Sequence, residues 1–76
     1  MKLNELSIGE ASFIKKINGC NDVKVRLYDI GLIEGTKVTL KLKSPSKKIK
    51  AYEFRNTLIA IRDSDAINIV IGDIND

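Results

Sequence analysis

Between residues 22 and 43 the spacing of apolar side chains changes from helical to extended, and only residues 31–35 separate the two patterns. Val23, Leu27 and Ile30 recur at helical spacing, which turns one apolar stripe toward a core, with Tyr28 on or beside it. Val38, Leu40 and Leu42 then alternate with Lys37, Thr39, Lys41 and Lys43, the pattern of a half-buried strand. A change of period over so short a joint needs backbone angles that side chains with a Cβ disfavour, and glycine adopts them at little cost. Gly31 is therefore read as the helix stop in the left-handed conformation. Gly35 is read as the positive-φ residue of a Glu34-Gly35 turn. Leu27, Leu32 and Ile33 are assigned to the core, with Ile33 at its rim. Asp22 is assigned as the N-cap of a helix over residues 22–30.

The rest of the chain reads mostly as strands. Leu3, Leu6 and Ile8 lead into Gly9, a backbone hinge. The segment Ala11–Ile17 has strand composition, and a bulge near Ile14 would bring Phe13, Ile14 and Ile17 to one face. Residues 18–22 and 44–48 are loops, the second holding the sole proline, Pro45. Strands over Ile49–Phe54 and 58–62 flank a hairpin turn at Arg55, Asn56 and Thr57, with Asn56 able to take the left-handed conformation. Asp63–Ala66 reads as a helical turn, and Ile67, Ile69 and Ile71 as a last strand, with residues 72–76 fraying. About five short strands and one short helix in 76 residues make a single domain over 1–76. Closure into a small barrel would remove its vulnerable edges.

Composition narrows the functions available. With 43% hydrophobic and 30% charged residues the chain is an ordinary globular sequence. A single cysteine, Cys20, permits no intrachain disulfide, which fits a reducing cytoplasm. The N-terminal stretch lacks the apolar region of a signal peptide, and no apolar run approaches the ~20 residues of a bilayer span. There is no histidine, so the usual zinc and iron ligand sets cannot be assembled within one chain. Asp63 and Asp65 offer the only oxygen-ligand route, and beside a turn they are read as capping it or facing water. Cys20 has no base to activate it, and 31–35 lacks the spacing and Lys-Ser/Thr tail of a phosphate loop. No enzyme activity and no cofactor are expected. Residues 37–50 hold six lysines and no acid, whereas 63–76 hold four acids and no base. The lysines are read first as a soluble, edge-guarding hairpin. Alternatively they follow a phosphate backbone, although no aromatic side chain interleaves them for base stacking.

One order of residues is more specific than these patterns. It runs Leu3-x-x-Leu6-x-x-Gly9, Ile14-x-x-Ile17, then Arg26-Leu27-x-x-x-Gly31-Leu32-x-x-Gly35-Thr36-x-Val38. It continues through Pro45, Ile59-Ala60-Ile61-Arg62 and Ala66-Ile67-x-Ile69. This resembles the FeoA family, small cytoplasmic proteins of bacterial ferrous iron uptake. The resemblance implies a mainly β, SH3-like barrel with a short helix inserted after the first strand. It implies a non-enzymatic accessory role, exerted on the cytoplasmic GTP-binding part of FeoB, the membrane ferrous iron transporter. Two positions depart from the family pattern. The hairpin loop reads Pro45-Ser46-Lys47-Lys48, without the usual glycine and second proline, and Asn56 stands where glycine is common.

On this reading the docking surface comprises Arg26, Tyr28 and Ile33 with the hairpin lysines Lys41, Lys43, Lys47 and Lys48. Gly9, Leu27, Gly31, Leu32, Gly35, Asn56 and Arg62 carry the structural motif. Arg26 reaches a partner or pairs with Asp22 or Asp29, and Arg62 pairs with Asp63 and Asp65. Nucleic acid is the alternative partner, and the oligomeric state is left open.

Overall fold

Alternation of Val, Leu and Ile with polar side chains produces five strands, β1 (Ala11–Ile17), β2 (Lys37–Lys43), β3 (Ile49–Phe54), β4 (Thr57–Arg62) and β5 (Ile69–Gly72). The computed structural model describes residues 1–19, 21–46 and 48–72. Helix α1 (Asn21–Asp29) lies between β1 and β2, α2 (Asp63–Ala66) between β4 and β5, and a 3₁₀ turn, Leu3–Glu5, precedes β1. All neighbouring strands are antiparallel, in the order β4-β3-β2-β1-β5. One core takes side chains from every strand, including Ile14, Leu40, Tyr52, Ile61 and Ile69, and adds Leu27 and Leu32 from the helix side. This is the expected mainly β, SH3-like architecture.

The two edge strands, β4 and β5, do not pair with each other. The gap is bridged by other means. Lys2 pairs with Val70, and the Ile71 amide donates to the Met1 carbonyl at 2.9 Å. On β3, Lys50 points inward and is 7% exposed. Its Nζ donates to the Asn4 carbonyl at 2.7 Å and stands 3.4 Å from Asp63 Oδ1. The N-terminal turn, the middle of the sheet and the start of α2 thus meet at one ammonium.

Two bulges decide which residues face the core. The register of β1 against β5 shifts between Ile14 and Lys16, as expected, and Ile14 and Ile17 are buried while Phe13 is half-buried. A second shift, between Leu40 and Leu42 against β3, accommodates Lys41 as an extra residue. It turns Leu42 to the outer face, where it is 58% exposed, so Leu42 is not the core residue that simple alternation suggested. Other departures cluster at element ends. Helix α1 begins at Asn21, which puts Asp22 in its first turn instead of at the cap. Ile30 lies past the last helical residue and is exposed. Ile67 sits in the turn after α2 and is also exposed, so β5 starts at Ile69. Gly72 does not fray: it pairs with Phe13, and Ser12 Oγ donates to its carbonyl at 2.9 Å. Residues 73–76 and Cys20 lie outside the described residues. The β3–β4 hairpin closes on a two-residue turn in which Arg55 (φ 52) and Asn56 (φ 62) are both left-handed, next to the Phe54–Thr57 pair.

The inward Lys50 and Tyr52 generate two predictions. Lys50→Met removes the donor while keeping the length, leaving the Asn4 carbonyl without its donor and the Asp63 carboxylate without its cation. It should cost about 1–3 kcal/mol in urea unfolding, and adding Asp63→Asn should return part of the loss. Burial, and secondarily the charge of Asp63, push the Tyr52 phenol up to about 12 from its ordinary 10.0. Below the ordinary value both states keep the proton. Above it the unfolded chain releases the proton before the fold does, so stability falls with rising pH until the folded value is passed. The loss should total roughly 2–3 kcal/mol, and subtraction of the Tyr52→Phe profile should isolate it.

Candidate docking surface

The joint between α1 and β2 is held by two consecutive turns. The Leu32 amide donates to the Leu27 carbonyl at 2.9 Å and the Gly31 amide to the Tyr28 carbonyl at 3.0 Å. With Gly31 at φ +91 this is a Schellman stop, and Leu27 and Leu32 supply its apolar contact in the core. Thr36 N–H then donates to the Ile33 carbonyl at 3.1 Å, and Gly35 at φ +91 takes the third position of a type II turn. Backbone bonds fasten this turn to β1, from Gly35 N–H to the Ile14 carbonyl (2.8 Å) and from Ile14 N–H to the Thr36 carbonyl (2.9 Å). The buried Thr36 hydroxyl donates to the Gly31 carbonyl at 3.4 Å, linking the two turns.

Side chains around this pinned joint are displayed outward. Tyr28 is exposed, and its hydroxyl donates to Glu34 at 2.9 Å and 3.3 Å. That hydrogen bond, with lesser help from desolvation and the Glu34 charge, holds the phenol proton above its ordinary range. Leu27 and Leu32 are in the core, but Ile33 is exposed and stands outside it, because the turn at Glu34-Gly35 carries it to the surface. Arg55 reaches across from the β3–β4 hairpin, because a Cβ on Gly31 would lie 3.3 Å from its Nη1. A cation there complements the carbonyl end of α1. Ile33, Glu34, Thr36, Lys37 and Arg55 surround a shallow recess of about 370 Å³.

A larger groove, about 470 Å³, runs between α1 and β4, and both Arg26 and Arg62 line it. The structure corrects the pairing of both. Arg26 approaches Asp65 at 3.9 Å, across to α2, instead of Asp22 or Asp29 on its own helix. Arg62 makes no ion pair among the described residues. Its extended backbone (φ −72, ψ 145) ends β4, and the two acids that follow serve Lys50 and Arg26.

The lysines form a separate group. Lys41 pairs with Glu53 at 3.7 Å, and Lys43 and Lys48 are exposed. Strand β2 starts beside the joint and runs seven residues to Lys43. At about 3.3 Å per residue, that puts the hairpin tip roughly 20 Å from the joint. Lys47 lies outside the described residues. Lys50, inside the fold, and Lys41, paired to an acid, are both lost to a surface that would follow a phosphate backbone. Sequence reasoning missed the contacts of Glu34, Arg55 and Lys50 and gave Asp65 to Arg62 instead of Arg26, since these partners are remote in the chain or across a turn. Among the described residues no group of three or more His, Cys, Asp or Glu side chains gathers to hold a metal. None of the described helices is long and apolar enough to cross a membrane.

A family model, the FeoA domain, matches residues 1–72. The chain belongs to the FeoA family. This FeoA-family chain is similar to the FeoA protein of Chlorobium tepidum, with 26% identity over 97% of this chain and 70% of that one, at a TM-score of 0.90. It is similar to a FeoA-like protein of Clostridium acetobutylicum, with 24% identity, 97% and 86% coverage and a TM-score of 0.87. The zinc-complexed FeoA of Stenotrophomonas maltophilia, with 22% identity, 95% and 89% coverage and a TM-score of 0.77, shares the fold. That protein is described as an SH3 domain protein proposed to act as a ferrous iron transport activating factor. No match was found among curated proteins.

Gly31 is the hinge on which this display turns. Gly31→Ala forces a Cβ into left-handed backbone facing Arg55, and should lower stability by about 1–2 kcal/mol, read as a reduced urea midpoint with unchanged slope.

Proposed function

We propose that this chain is a non-enzymatic, cytoplasmic accessory protein of ferrous iron uptake that acts by contact with the GTP-binding domain of a FeoB-type transporter. The observation that carries the proposal is the FeoA-domain match over residues 1–72. The surface chemistry supports it. Tyr28 and Ile33 stand exposed at a joint pinned to β1, so a partner meets them with little ordering cost, and Arg26 stands exposed on α1 beside the groove. Tyrosine, arginine and an aliphatic rim are the side chains that most often anchor protein contacts. The hairpin lysines Lys43 and Lys48 then act at a distance, steering an acidic partner into place more than holding it.

Titration of the full chain with the transporter's GTP-binding domain tests this. Saturable binding at roughly tens of micromolar, the range of transient complexes, is the expected result. Tyr28→Ala should weaken it about tenfold as a lost aromatic anchor. Replacing Lys43 and Lys48 by glutamate should mainly slow association and flatten its salt dependence. Absence of binding at these concentrations refutes the proposal.

A further inference from the structure

Strand β4 has a neighbour on one side only. Its sequence, TLIAIR, is strongly strand-forming and apolar. Proteins usually blunt such an edge with lysine, proline or a bulge. Here β4 has no lysine and no proline, and its pairing with β3 runs without a register shift from Phe54–Thr57 to Ile49–Arg62. The two-residue turn makes Phe54–Thr57 a hydrogen-bonded pair, and such pairs alternate along an antiparallel ladder. Thr57, Ile59 and Ile61 therefore spend their amide and carbonyl groups on β3. Leu58 and Ala60 direct theirs away from it, and among the described residues no backbone group meets them.

This open edge borders the groove beneath α1. The groove is about 470 Å³ and lies between α1 on one side and residues 59–62 on the other. Ile30 and Ile59 supply apolar wall, and Ala60 presents only a methyl group, so another backbone can come close. Arg26 and Arg62 line the same groove. Arg26 meets Asp65 only at 3.9 Å with its side chain 69% exposed, so a nearer carboxylate can compete for it.

We propose that the β4 edge is a strand-addition site: an extended segment of a partner protein, alternating acidic and apolar residues, pairs with Leu58 and Ala60. Its carboxylates meet Arg26 and Arg62, and its apolar side chains meet Ile30 and Ile59. Main-chain bonds supply the affinity and the two arginines the selectivity. A second copy of this chain fits the edge less well, because it would bring its own Arg26 and Arg62 to the same place. The inference rests on the reading that the chain works by protein contact, but not on which protein supplies the segment.

The test is hydrogen exchange and amide chemical shift of the full chain with a capped peptide of roughly six residues, a common strand length, alternating glutamate and valine. The peptide should slow exchange at the Leu58 and Ala60 amides about tenfold, as newly bonded edge groups. A peptide with lysine for glutamate should bind about tenfold more weakly. Ala60→Pro removes an N–H that faces away from β3, so the ladder survives while peptide binding is lost. Should that variant fail to fold, the surface pair Arg26→Glu and Arg62→Glu should reverse the preference toward the lysine peptide. Unprotected Leu58 and Ala60 amides, or equal binding of the two peptides, overturn the proposal. So does protection at these amides that grows with protein concentration without peptide, which assigns the edge to a second copy. Peptide binding without binding of the transporter domain refutes the docking proposal and leaves the edge site standing. The reverse pattern refutes the edge site alone.

Discussion

A five-stranded sheet of this order leaves β4 and β5 unpaired with each other, and the fold depends on how that opening is closed. Lys50 does much of this from inside. Its ammonium ties the Asn4 carbonyl and Asp63 to the centre of β3, so the N-terminal turn and α2 are drawn over the core together. A buried cation is costly unless donors and acceptors are matched around it. The match here is partial: the ammonium donates to the Asn4 carbonyl, and it lies 3.4 Å from Asp63 Oδ1, an atom with no hydrogen-bond partner among the described residues. Tyr52, two residues along on the same inward face, directs its hydroxyl at the Leu3 carbonyl, 3.4 Å away, and packs where that closure is complete.

With the core closed in this way, the opposite problem is to change direction abruptly at the surface. The two glycine turns at 31 and 35 accomplish it, and the bonds to Ile14 and Thr36 make the joint part of the sheet instead of a loose connection. Rigidity there has a functional consequence. Tyr28, Ile33 and Glu34 are exposed but not free to wander, because the backbone beneath them is bonded on both sides. The core is filled by the domain's own side chains, so the exposed joint and the grooves beside it are the surfaces another molecule can reach.

Those surfaces are also electrically uneven. The joint and groove present Arg55, Arg26 and Arg62, of which Arg26 pairs with an acid remote in sequence, and the hairpin tip presents lysines about a strand's length away. Arginine forks and exposed aliphatic rims favour close, directional contacts, whereas dispersed lysines favour long-range attraction. The two groups thus suit successive stages of one encounter.

Much of the architecture was legible in the residues. The helix stop at Gly31, the turn at Gly35, the bulge near Ile14, the Asn56 hairpin and the number of strands follow from local rules of backbone freedom and side-chain period. These rules act over a few residues, so the chain itself determined them. What only the tertiary structure decided involves residues that local rules cannot see. The bulge at Lys41 turned Leu42 outward, since register is set by the partner strand. Lys50, one lysine among six in its segment, went inside because Asn4 and Asp63 converged on it. Arg26 found Asp65, not the acids of its own helix, because the fold sets α1 and α2 along one groove. Periodicity says which face a residue occupies, but the identity of what lies opposite depends on how distant segments are folded together.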